Sequence, residues 1–299
     1  MAYFFQLTFA GIALGCIYAL IGLGFSIIFK ATEVINFAQG ELLLVGAYIV
    51  SAGVFEWHLG FFLALLLGLI VTVLIGLLFE RFVLRRMLGR PVFSILMITI
   101  GLDIMLRTAV VVRWGSNPIP PATPFDITSG VNAGGIHFGA EDLWTIAVTV
   151  LICVLLFYFF RFTRYGLAMR ATAFDQETAL AMGINVRRVN ALAWGISSMI
   201  ATIGGVFLAI KSVAIDPALG NTALLAFPAI ILGGIDSISG AVVGGIIIGL
   251  AQVLTAGYES RFPTAIGTGF HEIAPYLIMI IVLLIRPYGL FGTRKVERI

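Results

Sequence analysis

Charge is what this chain has least of: Asp, Glu, Lys and Arg make up 11% of its 299 residues, against 60% hydrophobic. A soluble surface of that size needs roughly 25–35% charged residues, so water is excluded as the main solvent of its outside, and lipid takes that place. Cysteine is nearly missing too. Cys16 and Cys153 lie inside apolar runs without the spacing of a metal site or disulfide framework, and read as small core residues. The 3 histidines, His58, His137 and His271, fall between apolar runs with no ligand-spaced neighbour, and His271-Glu272 lacks the second His of a zincin helix. No Gly-Lys dipeptide occurs, hence no G-x-x-x-x-G-K-[ST] loop, and no polar segment is long enough for a nucleotide-binding domain. The sequence therefore predicts no metal, no catalytic set and no ATPase site of its own, and a net charge of +3 gives no support to nucleic-acid binding.

What the chain has is apolar length. A bilayer core takes about 20 mostly apolar residues per crossing helix. Runs of that kind fall at roughly 5–29, 34–55, 60–80, 93–113, 142–161, 188–210, 221–235, 239–257 and 274–290. The expectation is an all-α integral membrane protein with about nine spanning or part-spanning helices in a single domain, 1–299. The N-terminus has no basic n-region and a run too long for a cleaved leader, so it reads as a retained first helix. If it starts outside, the inner loops collect every one of the 18 basic residues except Arg107, Arg113, Lys211 and Arg261, and the C-terminal tail lies inside. The loop 114–141, rich in Pro and Gly and carrying Trp114, then faces outward as a lid or docking surface.

The inner loop 170–190, RATAFDQETALAMGINVRRVN, is the most polar stretch between two apolar runs. It predicts a short helix from about Thr172 to Met182, with Asp175 and Glu177 in its early turn and Gly183 as C-cap. Phe174, Thr178 and Ala181 would share a face. Such a helix is too short to stand alone and exposes Phe174 and Met182, which points to a protein partner or, failing that, to a solvated connector.

The run ETALAMG, residues 177–183, resembles the E-A-A-x-x-x-G cytoplasmic loop of ABC importer permeases, with Thr178 in place of the first Ala. There the loop is the coupling helix that docks on the ATPase, which implies Phe174, Glu177, Ala179, Met182 and Gly183 as coupling residues. More specifically, GCIYALIGLGFSIIFKATEVINFAQGELLLVGAY, RYGLAMRATAFDQETALAMGINVRRV, AFPAIILGGIDSISGAVVGGIIIGL and RPYGLFG resemble the LivH/LivM permeases of branched-chain amino acid ABC importers. The likeness covers nearly the full length and leans to the LivH side, where a His often stands in place of Gln39. It implies a large-core (type II-like) permease of a bacterial or archaeal cytoplasmic (inner) membrane. Its implied partners are a LivM-like subunit or second copy, two ATPase subunits that hold ATP and Mg, and an extracytoplasmic substrate-binding protein. Branched-chain or other apolar amino acids are the implied cargo, with urea, amides or small carboxylates as the alternative.

Transport paths form where membrane helices are interrupted, because freed backbone groups are tolerated only against protein or a cavity. Two interruptions are visible. One is Asn36-Phe37-Ala38-Gln39-Gly40-Glu41; the other runs from Asn221 through Phe227 and Pro228 to Gly233-Gly234. Facing each other, they would gate a path; alternatively, Asn36 and Glu41 are helix-start residues at the headgroup level. Asp103 and Arg107, four apart on a helix, predict an intramembrane ion pair. Together with Glu41, Asp103 is also the thin support for a rival reading, an ion-coupled secondary transporter. Gly11 and Gly15, Gly240 and Gly244, and Gly245 and Gly249 have the small-x-x-x-small spacing of close helix packing. Labelling of Arg85→Cys and Arg188→Cys variants should modify both from the same side of the membrane; reaction from opposite sides refutes this topology.

Overall fold

In lipid every backbone N–H and C=O must find a partner within the chain, which turns the apolar runs into helices. The computed structural model describes residues 2–87, 90–126, 129–133, 136–259 and 269–292. Arg261, Arg294, Lys295 and Arg298 and the side chains of Glu177 and His137 lie outside the described residues. The helices are α1 (Ala2–Thr32), α2 (Gln39–Phe55), α3 (Phe61–Phe79), a π segment (Glu80–Leu84) running into α4 (Arg85–Met87), α5 (Val92–Trp114) and α6 (Ala140–Phe162). There follow α7 (Arg164–Phe174), α8 (Gln176–Ala181), α9 (Val186–Ser212), α10 (Leu219–Thr222), a 3-10 turn (Ala223–Ala226), α11 (Phe227–Gly233), α12 (Ile238–Tyr258) and α13 (Phe270–Ile285).

Among the described residues 6 helices are long and apolar enough to cross a membrane, and Gln39–Phe55, Leu219–Gly233 and Phe270–Ile285 are shorter apolar helices. The expected run from 34 becomes helical only at Gln39, and the run from 221 is broken before Pro228, which stands in the first turn of α11 where its missing N–H costs nothing. The loop 114–141 carries a two-stranded antiparallel hairpin, β1 (Gly130–Ala133) with β2 (Ile136–Gly139), that the helical reading did not foresee.

The chain divides into two units, the first made of Met1–Ser26, Phe125–Thr149 and Leu225–Ile299, the second of Ile27–Pro124 and Val150–Leu224. In the first, α1 and α12 meet through glycine. A Cβ on Gly15 would stand 2.6 Å from Ile246 Cα, one on Gly11 3.0 Å from Leu250 Cα, and one on Gly249 would overlap the backbone of Gly15. Gly240 and Gly244 leave the same room for the backbone of Gly233 and Ala229 on α11. Gln252, polar inside an apolar helix, accepts from the Tyr18 hydroxyl at 2.6 Å. At the end of α12, His271 Nδ1 lies 2.8 Å from Glu259, and this contact holds the carboxyl below its usual range.

In the second unit α2 is enclosed, buried from Gln39 through Gly53, and packs on α3 and α9. Gly46 lets Thr202 approach, Gly205 lets Leu43 approach, and the Thr72 and Thr202 hydroxyls bond at 2.6 Å. Leu66, Leu74, Met105, Val112, Leu155 and Phe157 on α3, α5 and α6 are exposed, as side chains that face acyl chains would be. A Gly249→Val variant forces overpacking worth about 1–3 kcal/mol. Its melting temperature in detergent should fall, while Gly101→Ala, with nothing within 4 Å of the added carbon, should melt like the parent. Equal melting of the two variants would contradict the packing.

Candidate functional site

Between the end of α1 and Gln39 the backbone of residues 33–38 is not helical. Its polar groups are met by side chains. Asn36 Oδ1 accepts from the Ala38 N–H at 3.1 Å, and Thr99 Oγ1 on α5 accepts from the Phe37 N–H at 3.4 Å. Gln39 Oε1 accepts from the Ser197 hydroxyl on α9 at 2.9 Å, and its Nε2 donates to the Ser197 carbonyl at 3.4 Å. Asn36, Gln39 and Glu41 are all buried, at 0%, 1% and 0% exposure.

Depth follows from counting. Ser197 stands 11 residues beyond Val186, the first residue of α9, a rise of about 16 Å. Arg107, the partner of Glu41, stands 15 residues beyond Val92, the first residue of α5, a rise of about 22 Å. The start of α2 therefore sits beside the middle of α9 and the second half of α5, well along both helices rather than at their first turns. Non-helical backbone at such depth is tolerated only where protein or a cavity lines it.

Arg107 reaches Glu41 rather than Asp103. Its Nε and Nη2 donate to Glu41 Oε1 at 3.0 and 2.6 Å, and Nη2 also donates to Asn221 Oδ1 at 2.5 Å. The predicted pairing with Asp103 gives way because a forked guanidinium gains more from a carboxylate plus an amide across the fold than from one side chain on its own helix. Glu41 Oε2 is buried and has no hydrogen-bond partner among the described residues. Gly220 makes room for this carboxylate, since a Cβ there would stand 2.8 Å from Glu41 Cδ. The first interruption thus meets the Gly220-Asn221 end of the second. Phe227 and Pro228 belong to the first unit, where the Phe227 ring stands edge-on to Phe25 at 5.0 Å between centroids.

Thr99 and Ser197 were not singled out by the sequence reading. The signal was the Ser197-Ser198 pair inside an otherwise apolar run and Thr99 inside another.

The loop after α6 differs from the single helix expected. Thr163 caps α7, accepting from the Gly166 N–H at 2.9 Å; the helix then stops at Asp175, which is extended at φ −160° and ψ 112°. Asp175 caps α8 in turn, accepting from the Thr178 N–H at 2.9 Å and the Thr178 hydroxyl at 2.8 Å. The break puts Phe174 (94% exposed), Leu180 and Met182 on the surface, while Ala179, which the resemblance implies as a coupling residue, is buried. Gly183 adopts φ +82°, the left-handed conformation a helix C-terminus uses. Gln176 Nε2 donates to the Ala31 carbonyl at 3.1 Å, tying this loop to the last turn of α1, directly before the non-helical stretch.

Comparison with known proteins closes the circle. The family model described as "Branched-chain amino acid transport system / permease component" matches residues 7–283. The chain is 33% identical over 311 residues to the high-affinity branched-chain amino acid transport system permease protein LivH of Salmonella typhimurium, covering 99% of this chain and 98% of that protein. It is 30% identical over 309 residues to the BraD permease of Pseudomonas aeruginosa, again covering 99% and 98%. It is also 30% identical over 292 residues to a probable LivH of Methanocaldococcus jannaschii, covering 94% and 90%. A solved structure, PsaBC from Streptococcus pneumoniae in complex with Fab, aligns at 17% identity and a TM-score of 0.49 over 97% of this chain and 94% of that one. Matched along nearly its whole length, this multi-pass membrane chain belongs to the family of branched-chain amino acid transport system permease components.

Proposed function

We propose that the chain is the pore-forming permease of an ABC importer that moves branched-chain or other apolar amino acids inward. An extracytoplasmic binding protein delivers the solute, two ATPase subunits bind ATP and Mg, and a LivM-like subunit or second copy completes the pore. The N-terminus lies outside; the C-terminal tail and the loop of α7 and α8 lie in the cytoplasm. The names of the full-length relatives support the cargo, and the distribution of Lys and Arg supports the orientation.

The observation that carries the coupling step is the helix break at Asp175, which leaves Phe174, Leu180 and Met182 each exposed on a polar loop. An apolar patch of this kind suits a groove on the ATPase. ATP binding shifts the permease only by the difference in affinity for its two conformations. Gln176 passes that shift to Ala31, and from there residues 33–38 lead into the polar junction. In this reading the link of Glu41, Arg107 and Asn221 is the closed gate of the path. A zwitterionic amino acid brings a carboxylate for Arg107 and an ammonium for Glu41 Oε2, so it can replace either partner without stranding a buried charge. A Phe174→Asp variant should weaken binding of the ATPase subunits about thirty-fold in a pull-down titration, the loss expected of a buried aromatic anchor. Unchanged association would contradict the docking role.

A further inference from the structure

Within the second unit, the stretch from α3 to α4 and the first half of α9 line an open groove of about 510 Å³ whose ends differ in chemistry. Arg85, Arg188 and Tyr165 line it where α4, α7 and the start of α9 come together. Val73, Leu77, Ile196 and Met199 line it further along the two helices. Gly195 lies in the wall; a Cβ there would remain 3.9 Å from both Leu77 and Val73, so the missing side chain keeps the groove open.

The basic end is built. The π segment delivers Arg85 back onto Glu80, whose two oxygens hold Arg85 Nε at 3.0 and 3.1 Å while Glu80 itself is 1% exposed. That contact fixes the guanidinium plane, and its terminal nitrogens make no hydrogen bond among the described residues. The Arg188 side chain forms neither hydrogen bond nor ion pair among the described residues. The length also has meaning. From Arg188 to Met199 α9 advances 11 residues, about 16 Å, against roughly 15 Å for half of a hydrocarbon core.

We infer that this groove seats one anionic glycerophospholipid from the leaflet on the side of the α7 and α8 loop. Its phosphate lies on Arg85 and Arg188, and one acyl chain runs along Val73, Leu77, Ile196 and Met199. Two guanidinium groups favour a headgroup with net negative charge, and for the ammonium of a zwitterionic lipid the described lining offers no carboxylate, the neighbouring Glu80 being held by Arg85. The lipid then braces α9, the helix whose Ser197 holds Gln39. This inference goes beyond the transport reading and depends on neither the cargo nor the ATPase contact.

The test is native mass spectrometry of the purified full chain, offered equal amounts of phosphatidylglycerol and phosphatidylcholine. The parent should retain phosphatidylglycerol with roughly thirty-fold preference, the gain expected of two arginines facing a headgroup of net negative charge rather than a zwitterionic one. Arg188→Gln should remove most of that preference. Gly195→Leu, which fills the groove, should lose the bound lipid while melting like the parent. Equal retention of both lipids by the parent, or parent-like retention of phosphatidylglycerol in both variants, overturns the inference. So does release of the lipid by millimolar inorganic phosphate, which would mark a free-anion site.

Discussion

One constraint organises the second unit: α2 begins buried beside the middle of α9, so the non-helical backbone leading to it must be satisfied by neighbours. Thr99, Ser197 and the Asn36 side chain meet that demand directly, and Glu41 with Arg107 and Asn221 closes the junction over the start of the helix. Hydrocarbon gives such groups no alternative partner. The enclosure of α2 by α3 and α9, through Gly46, Gly205 and the Thr72–Thr202 bond, follows from the same need to keep lipid away from this start.

That arrangement is also what makes a path conceivable at this point. A continuous helix offers a solute no backbone groups and few reasons to pause, whereas a broken one brings amides, a carboxylate and a guanidinium to one place. The non-helical stretch 33–38 begins two residues after Ala31, which Gln176 grips, and leads into the junction, so a displacement of the α7 and α8 loop has a short mechanical route to it. By contrast, the α1–α12 contact of the first unit, with backbone against backbone at Gly11, Gly15, Gly245 and Gly249, suits a part that holds its shape.

Much of this was legible in the sequence, for identifiable reasons. Spans follow from apolar length, glycine spacing marked faces of close helix packing without saying which helices meet there, and Pro228 marked a break because no proline continues a helix without loss. What escaped was tertiary. The run from residue 34 stays apolar enough to look helical, so only Thr99 and Ser197, distant in the chain, reveal that the helix starts late and deep. Asp103 lay at the expected spacing from Arg107, yet a carboxylate 66 residues away won through geometry that no local rule encodes. The break at Asp175 was readable in part, since Asp is a favoured N-cap residue as well as an early-turn one.

The buried link of Glu41 to Arg107 is the centre of the proposed gate. The most direct measurement is amino acid uptake by the reconstituted importer carrying Glu41→Arg, Arg107→Glu, or both exchanges together. Each single reversal buries two like charges side by side and should abolish uptake while the chain still binds its ATPases; the double exchange restores opposite charges and should recover a measurable part of the activity. Normal uptake with either single reversal would contradict the claim that this buried pair governs the path.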